Sequence, residues 1–237
     1  MKMKKVAGLL MVGVMALGLA ACSSKNDESS NNNTTKANVE ADDQTEDDKA
    51  AGEEFENLTV DADNKEVSFE AVVNGTYFTE PTRHAIVWEE GKNADKAMFR
   101  TKAYNIDFHD ALVSLGLSGD SNVSMDQMSA TVEDNVVNTG DAIEYFIKWD
   151  GQDEIPLNDV IKASAEYDWN VVFAGNRDVA EEKQSGCLLC TDSCAAGVAV
   201  NALPVGTTAE DGTQFFLDED KAPEDGTTVT ITVRPAE

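Results

Sequence analysis

The sequence predicts an α+β domain, an antiparallel-rich β-sheet with one clear helix near residues 107–116 and a short second helix. Three observations lead there. Short segments of alternating apolar and polar residues recur through the second half of the chain, separated by Gly and Asn turns. One stretch switches to a helical period. The first 57 residues have a composition that cannot form a packed core, so they stand apart as a signal peptide and a disordered tether.

The chain opens with Lys2, Lys4 and Lys5 and then an apolar run over residues 6–21. That run is too short to span a bilayer comfortably. It ends in Leu19-Ala20-Ala21-Cys22, the pattern of a bacterial lipobox, so cleavage is expected before Cys22 with lipid on its sulfur. The protein is then expected outside the cytoplasm, anchored to the bacterial cell membrane through Cys22. Residues 22–57 are rich in Ser, Asn, Asp and Glu, and have too little to bury to offset the entropy of ordering. Their expected role is a spacer between anchor and domain.

The globular part is expected over residues 58–237. Residues 66–73 alternate like a half-buried strand, with Val67, Phe69, Ala71 and Val73 on one face, and reach a turn at Asn74-Gly75. Residues 83–88 and 96–101 read as two strands with a polar, Gly-containing loop between them. Asp107 can cap a helix in which Phe108, Ala111, Leu112 and Leu115 share one face, with Gly116 or Gly119 at its end. Ile143, Tyr145, Ile147 and Trp149 alternate before the Asp150-Gly151 turn. Residues 156–161 read as a short helix opening and residues 169–175 as a strand closed by Gly175-Asn176. Further strands are expected near residues 197–202, 214–217 and 227–233.

Charge excludes some functions. With 45 Asp+Glu against 18 Lys+Arg the formal charge is −27. Nucleic-acid binding depends on Lys and Arg neutralising phosphate, so no nucleic-acid partner is expected. The sequence holds no G-x-S-x-G elbow, no H-E-x-x-H pair and no phosphate loop. Asp61-Ala62-Asp63-Asn64 lacks the glycine and closing glutamate of a calcium loop.

The chemistry concentrates in residues 186–201. Cys187, Cys190 and Cys194 follow the spacing C-x2-C-x3-C, the last three positions of a bacterial ferredoxin ligand run. The first position of that run is Gln184 here, and Ala195 replaces the following proline. With Cys22 consumed by lipid, three cysteines remain, an odd number in an oxidising compartment. Three thiolates suit an iron–sulfur cluster (4Fe-4S) or zinc, each of which normally takes four ligands. His84, His109, Asp192 or an exogenous group could supply the fourth. The structural alternative is a disulfide, Cys187–Cys194 or Cys190–Cys194, with no cofactor and one thiol left over.

The ordered blocks Arg83-His84, then residues 91–97, 106–112 with Leu115-Gly116, 144–149, 169–175 and the cysteine stretch resemble the YdjY-type domain. The resemblance covers most of residues 66–233. It implies a bacterial envelope protein of ferredoxin-like description, with an iron–sulfur centre suspected and no assigned reaction. Three functions therefore stand side by side. One is a lipid-anchored electron carrier with a metal or cluster at Cys187, Cys190 and Cys194, its redox partner unknown. Another is a non-catalytic surface module with structural cysteines. The third is a thiol-redox enzyme using Cys187 and Cys190.

Overall fold

The computed structural model describes residues 55–236. The signal peptide, Cys22 and nearly all of the tether expected in residues 1–54 lie outside them. Strands β1 (Thr59–Asp61), β2 (Glu66–Val73), β3 (His84–Trp88) and β4 (Ala97–Thr101) lead to helix α1 (Asn105–Ser114). Two short strands, β5 (Gly119–Asp120) and β6 (Thr139–Gly140), precede β7 (Ile143–Trp149), β8 (Gln152–Pro156), β9 (Ile161–Ala163) and β10 (Val171–Phe173). Helix α2 (Arg177–Lys183) is followed by β11 (Cys187–Cys190), β12 (Ala199–Asn201), β13 (Phe215–Leu217) and β14 (Thr228–Pro235).

The main sheet has ten strands in the order β10-β12-β11-β3-β4-β2-β14-β7-β8, with β1 on β2. Only β3/β4 and β11/β12 pair in parallel, so the sheet is mostly antiparallel, as expected. Its β10 end turns back towards β7. Ala142 bridges Val172, and the Phe173 amide donates to the Asp141 carbonyl at 2.8 Å. The alternation read in β2 is what the strand buries: Val67, Phe69, Ala71 and Val73 are all in the core. One inner face carries Phe69, Tyr145 and Leu188, and α1 lays Phe108 across it, 5.7 Å from Phe69 and 6.4 Å from Tyr145 between ring centroids. A second, smaller apolar cluster gathers Val87, Ala94, Ala97, Val172, Ala174, Val200, Cys187 and Cys190.

Several local expectations shift. Helix α1 begins at Asn105 with Tyr104 as its cap, so Asp107 sits in the first turn instead of capping it. An acidic side chain is favourable there too, because the first-turn amides are unpaired. Residues 157–160 form a single 3-10 turn, and the short second α-helix is α2. Cys187–Cys190 is a fully buried strand, and the chain loops only beyond it. Phe55 and Leu58 pack into the main core, so the packed part reaches slightly ahead of residue 58.

The β3–β4 connection matters most for the site. Parallel neighbours need a crossover, since the chain must return to the starting end of the first strand. Here residues 89–96 make that return in a short segment containing one 3-10 turn, Ala94–Lys96. The Lys92 amide donates to the Gln184 carbonyl at 2.9 Å, which pins the return beside the start of β11.

Candidate metal centre

In a regular strand, residues three apart face opposite sides of the sheet. Cys187 and Cys190 are three apart and yet share one face. The reason is an irregular register between β11 and β3: Cys187 pairs with Val87, Leu189 with Ile86 and Cys190 with His84. Leu188 and Leu189 both enter the main core, and the two cysteines are left together in the smaller cluster. Burying each leucine is worth about 1.5–3 kcal/mol, enough to hold such a bulge. His84, the cross-strand partner of Cys190, faces the same side.

His84 Nδ1 lies 3.4 Å from Cys187 Sγ. The donor atoms of His84, Cys187 and Cys190 all fall within 4.8 Å of one another, so the three could hold a metal ion. Around one tetrahedral ion, metal–sulfur bonds of about 2.3 Å and metal–imidazole bonds of about 2.0–2.1 Å place neighbouring donors about 3.5–3.8 Å apart. The His84–Cys187 spacing fits that shell. A four-iron cluster distributes its thiolates over separate irons and asks for a wider set. Asn93, on the β3–β4 return, donates from Nδ2 to Cys187 Sγ at 3.6 Å, the kind of outer contact that orients a metal-binding sulfur.

Cys194 belongs to the loop after β11 and keeps partial exposure, whereas Cys187 and Cys190 are buried. Cys194 packs against the cluster that holds Cys187 and Cys190. The neighbouring Cys187 thiol and then burial push the Cys190 thiol well above its ordinary range. The neighbouring Cys190 thiol and then burial do the same to Cys194. Burial, reinforced by the Arg83 cation, lowers His84 to about 4, so its ring is neutral at pH 7 with a lone pair to offer.

The other expected ligands are occupied elsewhere. His109 lies on α1, its Nδ1 2.8 Å from Asp110 Oδ1 and its ring 5.1 Å from that of Phe173, outside the grouped donors. Asp192 is fully buried, but it receives Arg83 and the Thr208 hydroxyl, the latter at 2.7 Å. Gln184 ends α2 in the left-handed region, with φ 52. Arg83, which also donates to the Ser193 carbonyl at 3.2 Å, and Asn93 went unread as site residues. Their adjacency to His84 and Gly91 was the available signal, and it names no partner.

All three described cysteines are free thiols. Cys187 and Cys190 thus offer two free sulfurs that one ion can share.

Comparison with known proteins agrees with the resemblance read from the sequence. A family model described as the YdjY domain matches residues 58–234. The chain belongs to the YdjY family. The Escherichia coli (strain K12) protein described as "Uncharacterized protein YdjY" is 33% identical to this YdjY domain protein over 183 residues, 76% of this chain and 79% of that one. No solved structure matches it. In this YdjY domain, then, the bulged strand β11 and the strand β3 beside it bring one imidazole and two thiols into a compact group that could hold a metal ion.

Proposed function

We propose that this YdjY domain is a metal-binding module carried outside the cytoplasm on a lipid anchor at Cys22. One ion is held by His84 Nδ1, Cys187 Sγ and Cys190 Sγ, with Cys194 closing the shell. The carrying observation is that three donors from two adjacent strands lie within 4.8 Å of one another. Soft sulfur and imidazole donors suit zinc, iron or copper and disfavour magnesium and calcium. An iron centre would make the domain an electron carrier, whereas zinc would make it a fixed staple across the sheet. The 4Fe-4S alternative keeps Cys187, Cys190 and Cys194 as its protein ligands and rests on their ferredoxin-like spacing.

The test is anaerobic purification of the full mature chain, followed by iron, zinc, copper and acid-labile sulfide analysis. Single-ion binding requires one metal per chain without sulfide, lost on Cys187→Ser or Cys190→Ser and weakened on His84→Ala. Sulfide matching the iron content would instead support the cluster, and metal-free wild type would refute both. The anchor rests on Lys2, Lys4, Lys5 and the Leu19-to-Cys22 boundary. Cys22→Ser should abolish palmitate labelling, and a labelled Ser variant would remove the anchor from the proposal.

A further inference from the structure

Residues 121–138 form an excursion closed at its base by the β5/β6 pair, where Gly119 meets Gly140 and Asp120 meets Thr139. It lies over the Cys194 loop. The Asn138 amide donates to Ser193 Oγ at 2.9 Å, and Asn138 Nδ2 to the Cys194 carbonyl at 3.0 Å. The Ala195 amide donates to the Met128 thioether at 3.3 Å. Met128 also packs against the small cluster of Val123, Ala195 and Val205.

Gap filling in that small cluster would account for Met128 alone. It does not account for Met125, which is 42% exposed in the same 3-10 helix, Met125–Ser129. In a 3-10 helix, residues three apart lie one above the other, so the two thioethers share a side. Cys194 is the only cysteine of the cluster that retains exposure. Cys194 packs against the cluster that holds Cys187 and Cys190, and Cys187 faces His84. Soft donors therefore run in sequence from the surface to the buried pair.

We infer that Met125, Met128 and Cys194 form an access route by which a soft monovalent cation, copper(I), reaches Cys190, Cys187 and His84. The inference rests on the proposed metal centre and adds the class of ion and its path. Zinc is bound by thiolate, imidazole and carboxylate, whereas thioether donors favour copper(I). The acidic Asp126, Glu133 and Asp134 in the same excursion add a field that draws cations towards it. Transfer is ligand exchange. A copper–thioether bond breaks as a copper–thiolate bond forms, each thiol releases its proton to water, and no electron changes hands.

The experiment follows copper(I) leaving its coloured bicinchoninate complex for the metal-free, full mature chain under anaerobic stopped-flow conditions. Leucine is close to methionine in volume and keeps the packing, so Met125→Leu, Met128→Leu and the double variant isolate the thioethers. The double variant should load copper(I) about tenfold more slowly, as if the exchange barrier rose by about 1.4 kcal/mol. Its final copper content and its rate of zinc uptake should match wild type. Equal copper rates in wild type and double variant, or equal slowing of copper and zinc, would overturn the route. Wild type that binds zinc but refuses copper(I) overturns the route alone, and wild type that binds no metal overturns the centre with it.

Discussion

Gly91 and Gly186 meet backbone to backbone, so closely that a Cβ on Gly91 would stand 2.5 Å from the Gly186 Cα. This contact seats the β3–β4 return on the approach to β11. It thereby brings Asn93 to the Cys187 sulfur. Gly186 additionally has φ +73, a conformation in which a side chain is strained.

Gly91→Ala should accordingly force the return away from β11. Overpacking of this kind typically costs about 1–3 kcal/mol. The site should suffer as well, because Asn93 leaves Cys187. Urea unfolding of the metal-free chain and metal affinity at fixed pH check the two effects separately. A variant with wild-type stability and affinity would show that the backbone contact is not holding the site.

The three cysteines should not be equivalent. Cys187→Ser and Cys190→Ser each remove a donor from the compact set and should abolish binding. Cys194→Ser should only weaken it, since Cys194 lies outside the mutually close donors. A cluster bound by all three would instead be lost alike in each variant. Metal content per chain, with circular dichroism to confirm folding, separates these patterns.

Binding should be strongly pH-dependent on the thiol side alone. Cys190 and Cys194 are held well above their ordinary range, so at pH 7 both are protonated and must release protons to bind an ion. Affinity should rise with pH across the neutral range. His84 is already neutral there and competes with protons only near pH 4. Calorimetry in buffers of different ionisation enthalpy should therefore count protons from thiols, and His84→Ala should leave that count unchanged.

Asp110 offers a stability test away from the centre. Burial would raise this carboxyl, but hydrogen bonds from His109 and Arg177 outweigh it and hold it below its ordinary value. A group depressed on folding stabilises above its unfolded pKa, near 4, and loses that contribution as pH falls through the folded value. Asp110→Asn should thus lower stability at pH 6 and flatten its decline below about pH 4. Parallel pH profiles for variant and wild type would rule the linkage out.

Breaking the Arg83–Asp192 pair should be costly. Asp192 is fully buried, while the Arg83 side chain is 28% exposed. Asp192→Ala leaves a largely buried cation and the Thr208 hydroxyl without their partner. Removing one member of a buried pair costs about 3–5 kcal/mol, and the partial exposure of Arg83 places the expected loss at the lower end, about 3 kcal/mol. Chemical denaturation of the metal-free chain measures it directly.

Much of the architecture was legible in the sequence because strand and helix periods are local. The alternation of Val67, Phe69, Ala71 and Val73, and of Ile143, Tyr145 and Ile147, depends only on which side of a strand faces the core. The α1 face of Phe108, Ala111 and Leu112 likewise follows from 3.6 residues per turn. Helix α2 escaped because its seven residues bury only Ala180, too little to imprint a period. The short strands β1, β5 and β6 escaped for a similar reason, since pairing with a neighbour defines them more than their own pattern does.

The sequence by itself determined that three thiols lie close along the chain and that His84 sits in a strand. Only the tertiary structure decided that His84, 103 residues away, is the partner of Cys187, and that His109 and Asp192 are not. Local spacing would even have turned Cys187 and Cys190 to opposite faces. What brings them together is a register shift against β3, sustained by Leu188 and Leu189 in the main core. Such a shift is set by the energy of packing two strands far apart in sequence, and residue spacing within either strand carries no record of it.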